Sequence, residues 1–357
     1  MTAGPPGLRW QGPDGRPCRE LFAYRITLRK RPILARFIGA GPKLRFVGAA
    51  SEVPAGATLL LWGSEPEPEG LPQGITIVRL EDGFLRSVGL GADLIRPLSW
   101  VMDGRGIYYD PSRPSDLEHL LQTADFTPEL LARAARLRER IVANELTKYN
   151  VGVGCFERPD GATRVILVPG QVESDASIRC GAPGIATNLE LLKAVRQANL
   201  DARVVYKPHP DVVAGLRAQG RHEGEAPAWC DAVLSDLPMG EVLAGVDEVH
   251  VMTSLTGFEA LLRGRRVVCY GQPFYAGWGL TEDILPLPRR TRRLQLDALV
   301  AATLILYTTY LGRSGDAPIS PEEALDELLD WKTRSGTGQT FWRDAFRVIL
   351  RRVVGVR

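Results

Sequence analysis

Glu81 and Asp82, followed by Gly83, come directly after the apolar run Ile75 to Leu80. If that run is a short buried strand, both carboxyl groups stand at its carboxyl end, the edge where open α/β sheets bind ligands. Gly83 lets the chain turn sharply there. A solvated acidic turn would use the same three residues, so other segments must decide. VPGQVESDAS, after a second apolar run, holds Gln171, Glu173, Asp175 and Ser177, and Pro169 and Gly170 break the strand so that these side chains project. Asp175 is then a carboxylate facing Glu81 across a crevice. Opposed carboxyl groups suit glycosyl transfer with retention, one attacking the anomeric carbon while the other handles the proton of the leaving or incoming oxygen. The alternative is that Asp175 merely caps the next turn.

Two further stretches are suited to an anion. In YKPHP, Pro208 and Pro210 hold His209 extended at a strand end, so the imidazole projects, and Lys207 adds a positive charge; a phosphate is the natural partner. In EVHVMTSLTGFEALL, Thr253, Ser254 and Thr256 fall where a helix begins. Their hydroxyls and the first-turn amides make an anion site, although an ordinary N-cap uses the same residue types. Glu259 lies on that helix, within reach of a ribose hydroxyl. The loop GQPFYAGWGLTED, Gly271 to Asp283, could cover a bound nucleotide or simply pack.

These groups need a scaffold, and 357 residues exceed one ordinary domain; two units of roughly 150 residues with a crevice between them are expected. In the first, Glu20 to Ile38 reads as an amphipathic helix, and Leu44 to Val47, Thr58 to Trp62 and Ile75 to Leu80 read as strands. Helices follow at Pro114 to Thr123, with Ser115 and Glu118 at capping-box spacing, and at Thr127 to Leu146, with Pro128 in the first turn. Gly, Pro and Asp cluster near Val151 to Gly161, a boundary. The second unit alternates strands Arg164 to Val168, Ala202 to Tyr206, Ala232 to Leu234, Glu248 to Met252 and Arg266 to Tyr270 with helices, the pattern of a parallel sheet covered on both faces. Leu294 to Tyr310 and Pro321 to Trp331 read as closing helices. The expected fold is α/β with two Rossmann-like domains facing across a cleft: residues 1–155, residues 156–330, and a basic amphipathic tail at 331–357.

Apolar content of 45% and charged content of 24% are globular values, and a net charge of +2 does not single out a nucleic-acid binder, so no nucleic-acid partner is expected. Local basic clusters, Arg25, Arg29, Lys30, Arg31 and Arg36, then Arg289, Arg290, Arg292 and Arg293, could face anionic lipid, an acidic substrate or water. The five cysteines are scattered without CxxC or zinc spacing, as in a cytoplasmic protein with reduced thiols. The start lacks a signal-peptide core and no run nears the roughly 20 apolar residues of a membrane span, so work on the cytosolic side is expected. Thr340 to Arg357, with Phe341, Trp342, Phe346, Ile349, Leu350 and five arginines, could lie on an anionic inner-membrane surface or close against the domains.

EDGFLRSVGLGADLIRPLSWV, GIYYDPSRPSDLE, PGQVESDASI, KPHPD, TSLTGFEALLRGR and GQPFYAGWGLTED closely resemble, in the same order, the β-Kdo glycosyltransferase modules of bacterial capsule-polysaccharide proteins of the KpsC type. The resemblance implies a two-domain GT-B enzyme, with residues 1–155 on the acceptor side and 156–330 binding the nucleotide sugar. It implies CMP-Kdo as donor, retention of the β configuration, no metal or other cofactor, and a lyso-phosphatidylglycerol-type acceptor glycolipid ending in Kdo. It implies Asp175 as nucleophile, Glu81 as acid/base with Asp82 as the alternative, and His209, Ser254 and Thr256 on the CMP phosphate. Gln171, Lys207 and Arg86 would orient the donor's phosphate or carboxylate, Arg86 as counter-ion of the latter. Family members often carry two such modules; this chain has one, which leaves the linkage open. Two other classes fit parts of the pattern: a CMP-sialic-acid transferase, which shares the acidic-Asp-Gly, His-Pro and Ser/Thr series, and a non-catalytic component of capsule export.

Overall fold

The computed structural model describes residues 19–335, apart from 40, 88–95, 149–151, 153, 159 and 316. The Gly/Pro-rich start up to Cys18 and the tail Thr340 to Arg357, with its two readings, lie outside the described residues.

Strands β1 (Glu20–Tyr24), β2 (Lys43–Val47), β3 (Thr58–Trp62), β4 (Thr76–Asp82) and β5 (Ser99–Asp103) build the first sheet. Its strands run in the order β5-β4-β3-β1-β2 and are parallel except for β5, which pairs antiparallel with β4. The strand period of two decides which side chains go where. Leu21, Ala23, Leu60 and Leu80 pack beneath helix α1 (Lys30–Ile38) with Leu34, Phe37 and Trp100, whereas Phe22, Tyr24, Leu59 and Leu61 fill the opposite face. Because both faces are covered, ELFAY is a continuous apolar run rather than an alternating one. This corrects the expectation of one helix over Glu20 to Ile38: its first five residues are β1, since a short buried strand and a buried helical turn share the same periodicity signal.

Helices α2 (Asp116–Thr123) and α3 (Pro128–Ala143) lead out of this sheet, the first capped by Ser115 as the spacing predicts and the second by Thr127. The second sheet is wholly parallel: β6 (Val165–Pro169), β7 (Arg203–Lys207), β8 (Ala232–Val233), β9 (Glu248–Val251), β10 (Arg266–Cys269) and β11 (Glu282–Asp283), in the order β11-β10-β9-β6-β7-β8. Helices α4 (Ala176–Gly181), α5 (Asn188–Ala198), α6 (Pro210–Val213), α7 (Met239–Gly245) and α8 (Leu255–Leu262) link its strands. Ile166, Val168, Val204 and Tyr206 face one core layer and Val165, Leu167, Val205 and Val249 the other.

The segment Leu294 to Tyr310, expected as one helix, begins as α9 (Leu296–Val300), continues as a π-helical stretch over Ala301–Tyr307 and then turns into β12 (Thr308–Leu311). β12 pairs antiparallel with β5, and β13 (Pro318–Ile319) pairs with β12. Residues 308–319, grouped with the second unit in the sequence division, therefore complete the first sheet. The physical reason is the open edge of β5, whose unpaired amides and carbonyls are satisfied by a returning strand. Helix α10 (Pro321–Ser335) follows, and Arg133 of α3 pairs with its Glu322 at 2.7 Å.

Three arginines of the second basic cluster, Arg289, Arg290 and Arg292, are engaged within the protein, while Arg293 is exposed. Arg290 is buried and donates to Glu118 of α2 at 3.0 Å and to the carbonyls of Pro273 and Ala276; Arg289 takes the other Glu118 oxygen at 3.0 Å, and Arg292 donates to the Ala124 carbonyl. This clasp ties the loop after β10 to the first half of the chain. Arg290→Met should cost about 3–5 kcal/mol in denaturant unfolding, because it leaves the Glu118 charge buried with half its compensation gone. A cost below about 1 kcal/mol would show that the clasp adds little.

Candidate active site

Three loops meet at the carboxyl edge of the second sheet and wall a cavity of about 460 Å³. Gln171 and Asp175 enter it from the loop after β6, Lys207 and His209 from β7 and its exit, Thr253 and Ser254 from the β9–α8 turn, and Thr256 and Glu259 from α8. Tyr108, Tyr109, Thr147 and Lys148, from the first half, line it too. The loops pass so closely that a Cβ at Gly170 would stand 2.6 Å from the Tyr206 hydroxyl and 3.1 Å from the His209 amide, which restricts the position to glycine.

Gln171 is a strut between two of these loops. Its side-chain amide donates to Thr253 Oγ1 and accepts from the Thr253 amide, both at 3.0 Å, while Asn188 holds its backbone from the other side. His209 caps α6: its Nδ1 accepts the Asp211 amide at 3.2 Å, so the neutral ring carries its proton on Nε2. Burial, then the nearby charges of Lys148 and Arg217, push its pKa down to about 3. Burial also lowers the Lys207 ammonium, partly offset by Asp236. At the tip of α8, Ser254 Oγ accepts the Thr256 amide at 3.2 Å, and Thr253 Oγ1 accepts from Gln171, so the proton of each hydroxyl remains to be donated. Glu259 is buried and accepts the Lys148 amide at 2.6 Å; burial raises its pKa. Asp175 stands at the N-terminus of α4 without capping it, and Arg217 donates to its Oδ1 at 2.8 Å.

Glu81, expected to face Asp175 across the crevice, is not among the residues lining the cavity and is joined to its wall through one contact. The hydroxyl of Tyr109, a lining residue, donates to Glu81 Oε2 at 3.4 Å. Gly63 passes beneath both with φ +55°, where a Cβ would lie 2.7 Å from that hydroxyl and 3.1 Å from Oε2. Burial first, then the adjacent Asp82, pushes Glu81 up to about 7, against the attraction of Lys30 and Lys148. Lys30 lies over the Trp62 ring with Nζ 3.1 Å from its centroid, and burial lowers it to about 8. Asp82 accepts from buried Arg86 at 2.7 Å; neither is among the residues lining the cavity. Sequence reasoning did not single out Tyr109, Lys148 or Arg217. Tyr109 falls inside a quoted motif, but Lys148 and Arg217 sit in stretches without local pattern. Among the described residues no group of three or more His, Cys, Asp or Glu side chains is placed to hold a metal ion, and no helix is long and apolar enough to cross a membrane.

Fold and site together define an α/β protein with one polar crevice that gathers an acid, a neutral imidazole and a helix tip. The chain belongs to the family described as capsule polysaccharide biosynthesis protein, whose model matches residues 70–153 and 157–311. It is 42% identical over 336 residues to the capsule polysaccharide modification protein LipA of Neisseria meningitidis, covering 92% of this chain and 48% of that one. It is 44% identical over 262 residues to the lipopolysaccharide-processing protein LpsZ of Rhizobium meliloti, covering 72% and 60%. The chain thus spans about half the length of the LipA proteins it matches. Among solved structures it resembles the β-Kdo 2,7 transferase of Thermosulfurimonas dismutans KpsC, with TM-score 0.73, 40% identity and coverage of 88% of this chain and 99% of that one. It also resembles the β-Kdo 2,4 transferase of the same protein, with TM-score 0.76, 31% identity and coverage of 87% and 98%. These likenesses agree with the KpsC-type module that the sequence motifs resemble.

Proposed function

We propose that this chain is a retaining β-Kdo glycosyltransferase of the GT-B class, moving Kdo from CMP-β-Kdo to a Kdo-terminated glycolipid on the cytoplasmic side of the inner membrane. The observation that carries the reading is the single cavity that brings Asp175, His209 and the hydroxyl-rich α8 tip together, with Glu81 one hydrogen bond from its wall. In this reading the second sheet holds the nucleotide and the first presents the acceptor.

The chemistry proceeds by double displacement. A carboxylate oxygen of Asp175 bonds to Kdo C2 as the C2–O bond to phosphate breaks, and CMP leaves with the bonding pair. The His209 Nε2–H, the Lys207 ammonium and the Ser254 and Thr256 hydroxyls stabilise the departing phosphate, which is where charge grows. An acceptor hydroxyl then attacks C2 from the vacated face, gives its proton to Glu81 and releases the Asp175 carboxylate; two inversions yield retention. A base with pKa near 7 is half ionised at neutral pH, which suits that proton transfer. No step is assigned to a metal or other cofactor.

The decisive experiment incubates the protein with CMP-β-Kdo and a synthetic Kdo-terminated acceptor in buffer containing EDTA and assigns the product by NMR. A β-linked Kdo product is expected; an α product, no product, or transfer only from CMP-sialic acid would each overturn the reading. His209→Ala should weaken CMP binding about 10–100-fold by calorimetry, the range of one lost hydrogen bond to a charged group. Affinity within twofold of wild type would remove His209 from the phosphate site.

A further inference from the structure

A carboxylate nucleophile that attacks Kdo faces an electrostatic difficulty. The carbon under attack, C2, itself bears the sugar's carboxylate, so bond formation brings two negative groups side by side. Like charges at such separation repel strongly in a partly buried site unless a cation lies between them. Arg86, the counter-ion implied by the resemblance, is turned to Asp82 and is not among the residues lining the cavity. Lys207 is buried with Nζ 3.5 Å from the carbonyl oxygens of Leu234 and Ser235. Arg217 is not a lining residue either, but it already holds Oδ1 of Asp175, which is one, at 2.8 Å.

We propose that Arg217 is the receptor for the donor's carboxylate, bridging it to Asp175 during the first displacement; this rests on the donor and nucleophile assigned above. A group that holds the attacking carboxylate is necessarily near any substituent on the attacked carbon, and a planar guanidinium has donors enough for two carboxylates at once. The backbone supports the placement. The amides of Leu216 and Arg217 both donate to the Asp211 carbonyl, at 2.8 and 3.1 Å, so the turn that His209 caps also fixes Arg217. Its guanidinium is about half exposed, open enough to receive a ligand, and its charge also reaches His209. Phosphate and carboxylate of one donor would thus be read by two side chains of one short segment, and a neutral sugar would leave the guanidinium with Asp175 as its partner and no second carboxylate to hold.

The test measures CMP binding by calorimetry and the single-turnover release of CMP from CMP-β-Kdo, for wild type, Arg217→Gln and Arg217→Lys. In Arg217→Gln, CMP affinity should stay within twofold of wild type, the apparent donor affinity should fall at least 10-fold and the release rate at least 100-fold, with partial recovery in Arg217→Lys. A donor whose carboxylate is converted to a neutral amide should react equally poorly with wild type and Arg217→Gln. If Arg217→Gln loses CMP and CMP-β-Kdo affinity alike, or handles both donors as wild type does, Arg217 is not the receptor. A wild type that releases no CMP at all overturns the donor assignment and this inference with it, whereas a reactive wild type matched by Arg217→Gln overturns this inference alone.

Discussion

Asp175→Asn should abolish Kdo transfer, with a loss on the order of ten-thousand-fold or more, the scale on which enzymes lose activity when a covalent nucleophile is removed. The substitution preserves shape, and Arg217 can still donate to the amide oxygen where it now meets Oδ1, so the fold should survive. CMP should bind the variant with affinity within a few-fold of wild type, because the groups assigned to phosphate lie on other loops, at His209 and the α8 tip. Intact-protein mass spectrometry gives a second, independent readout. Wild type mixed with CMP-β-Kdo should carry one Kdo residue on the peptide containing Asp175, and Asp175→Asn should carry none. An active variant, or an adduct found on another peptide, would move the nucleophile elsewhere.

How much of this could be read from the residues varies with the distance over which each signal acts. Five of the six parallel strands of the second half were legible within a residue or two, because a strand buried on both faces is a short apolar block closed by Gly, Pro or polar residues; β11, two polar residues long, was read as loop. Arg203–Lys207 and Glu248–Val251 are such blocks. The cap at Ser115 was legible because a capping hydroxyl acts over three residues. The first sheet was read less completely. β1 was merged into a helix, and β12 was hidden because its partner β5 lies about 200 residues earlier and TTYL has no meaning until that edge is known. The same holds for chemistry. His209, Ser254 and Asp175 follow strand ends, where the sequence pattern points to them, whereas Arg217 meets Asp175 across 42 positions with no local pattern to mark it. Arg289 and Arg290 looked like a surface patch because the carboxylate that buries one of them, Glu118, is 171 and 172 positions away.

Glu81→Gln should leave the first displacement running and stall the second. CMP is a good leaving group once its phosphate is gripped, so formation of the Asp175 adduct needs no proton from Glu81, but the incoming hydroxyl does need a base. Turnover should therefore fall about 100- to 10,000-fold, the usual weight of general-base catalysis, while the covalent Kdo adduct accumulates above its wild-type level. The wild-type rate should climb with pH through about 7 as Glu81 ionises, and the variant should lose that limb. Stability carries the same signature with its own sign. Folding raises this carboxyl from its ordinary value near 4.5 to about 7, so between those values the folded state binds more protons than the unfolded one, and stability falls as pH rises through that window. Glutamine cannot ionise. The variant should match wild type near pH 4 and exceed it near pH 8, by on the order of 1–3 kcal/mol after allowing for partial solvent contact. A variant that turns over normally would take Glu81 out of the mechanism. If Asp82→Asn instead removes the limb and traps the adduct, the base is Asp82, and its 2.7 Å contact with Arg86 would have to open during the reaction.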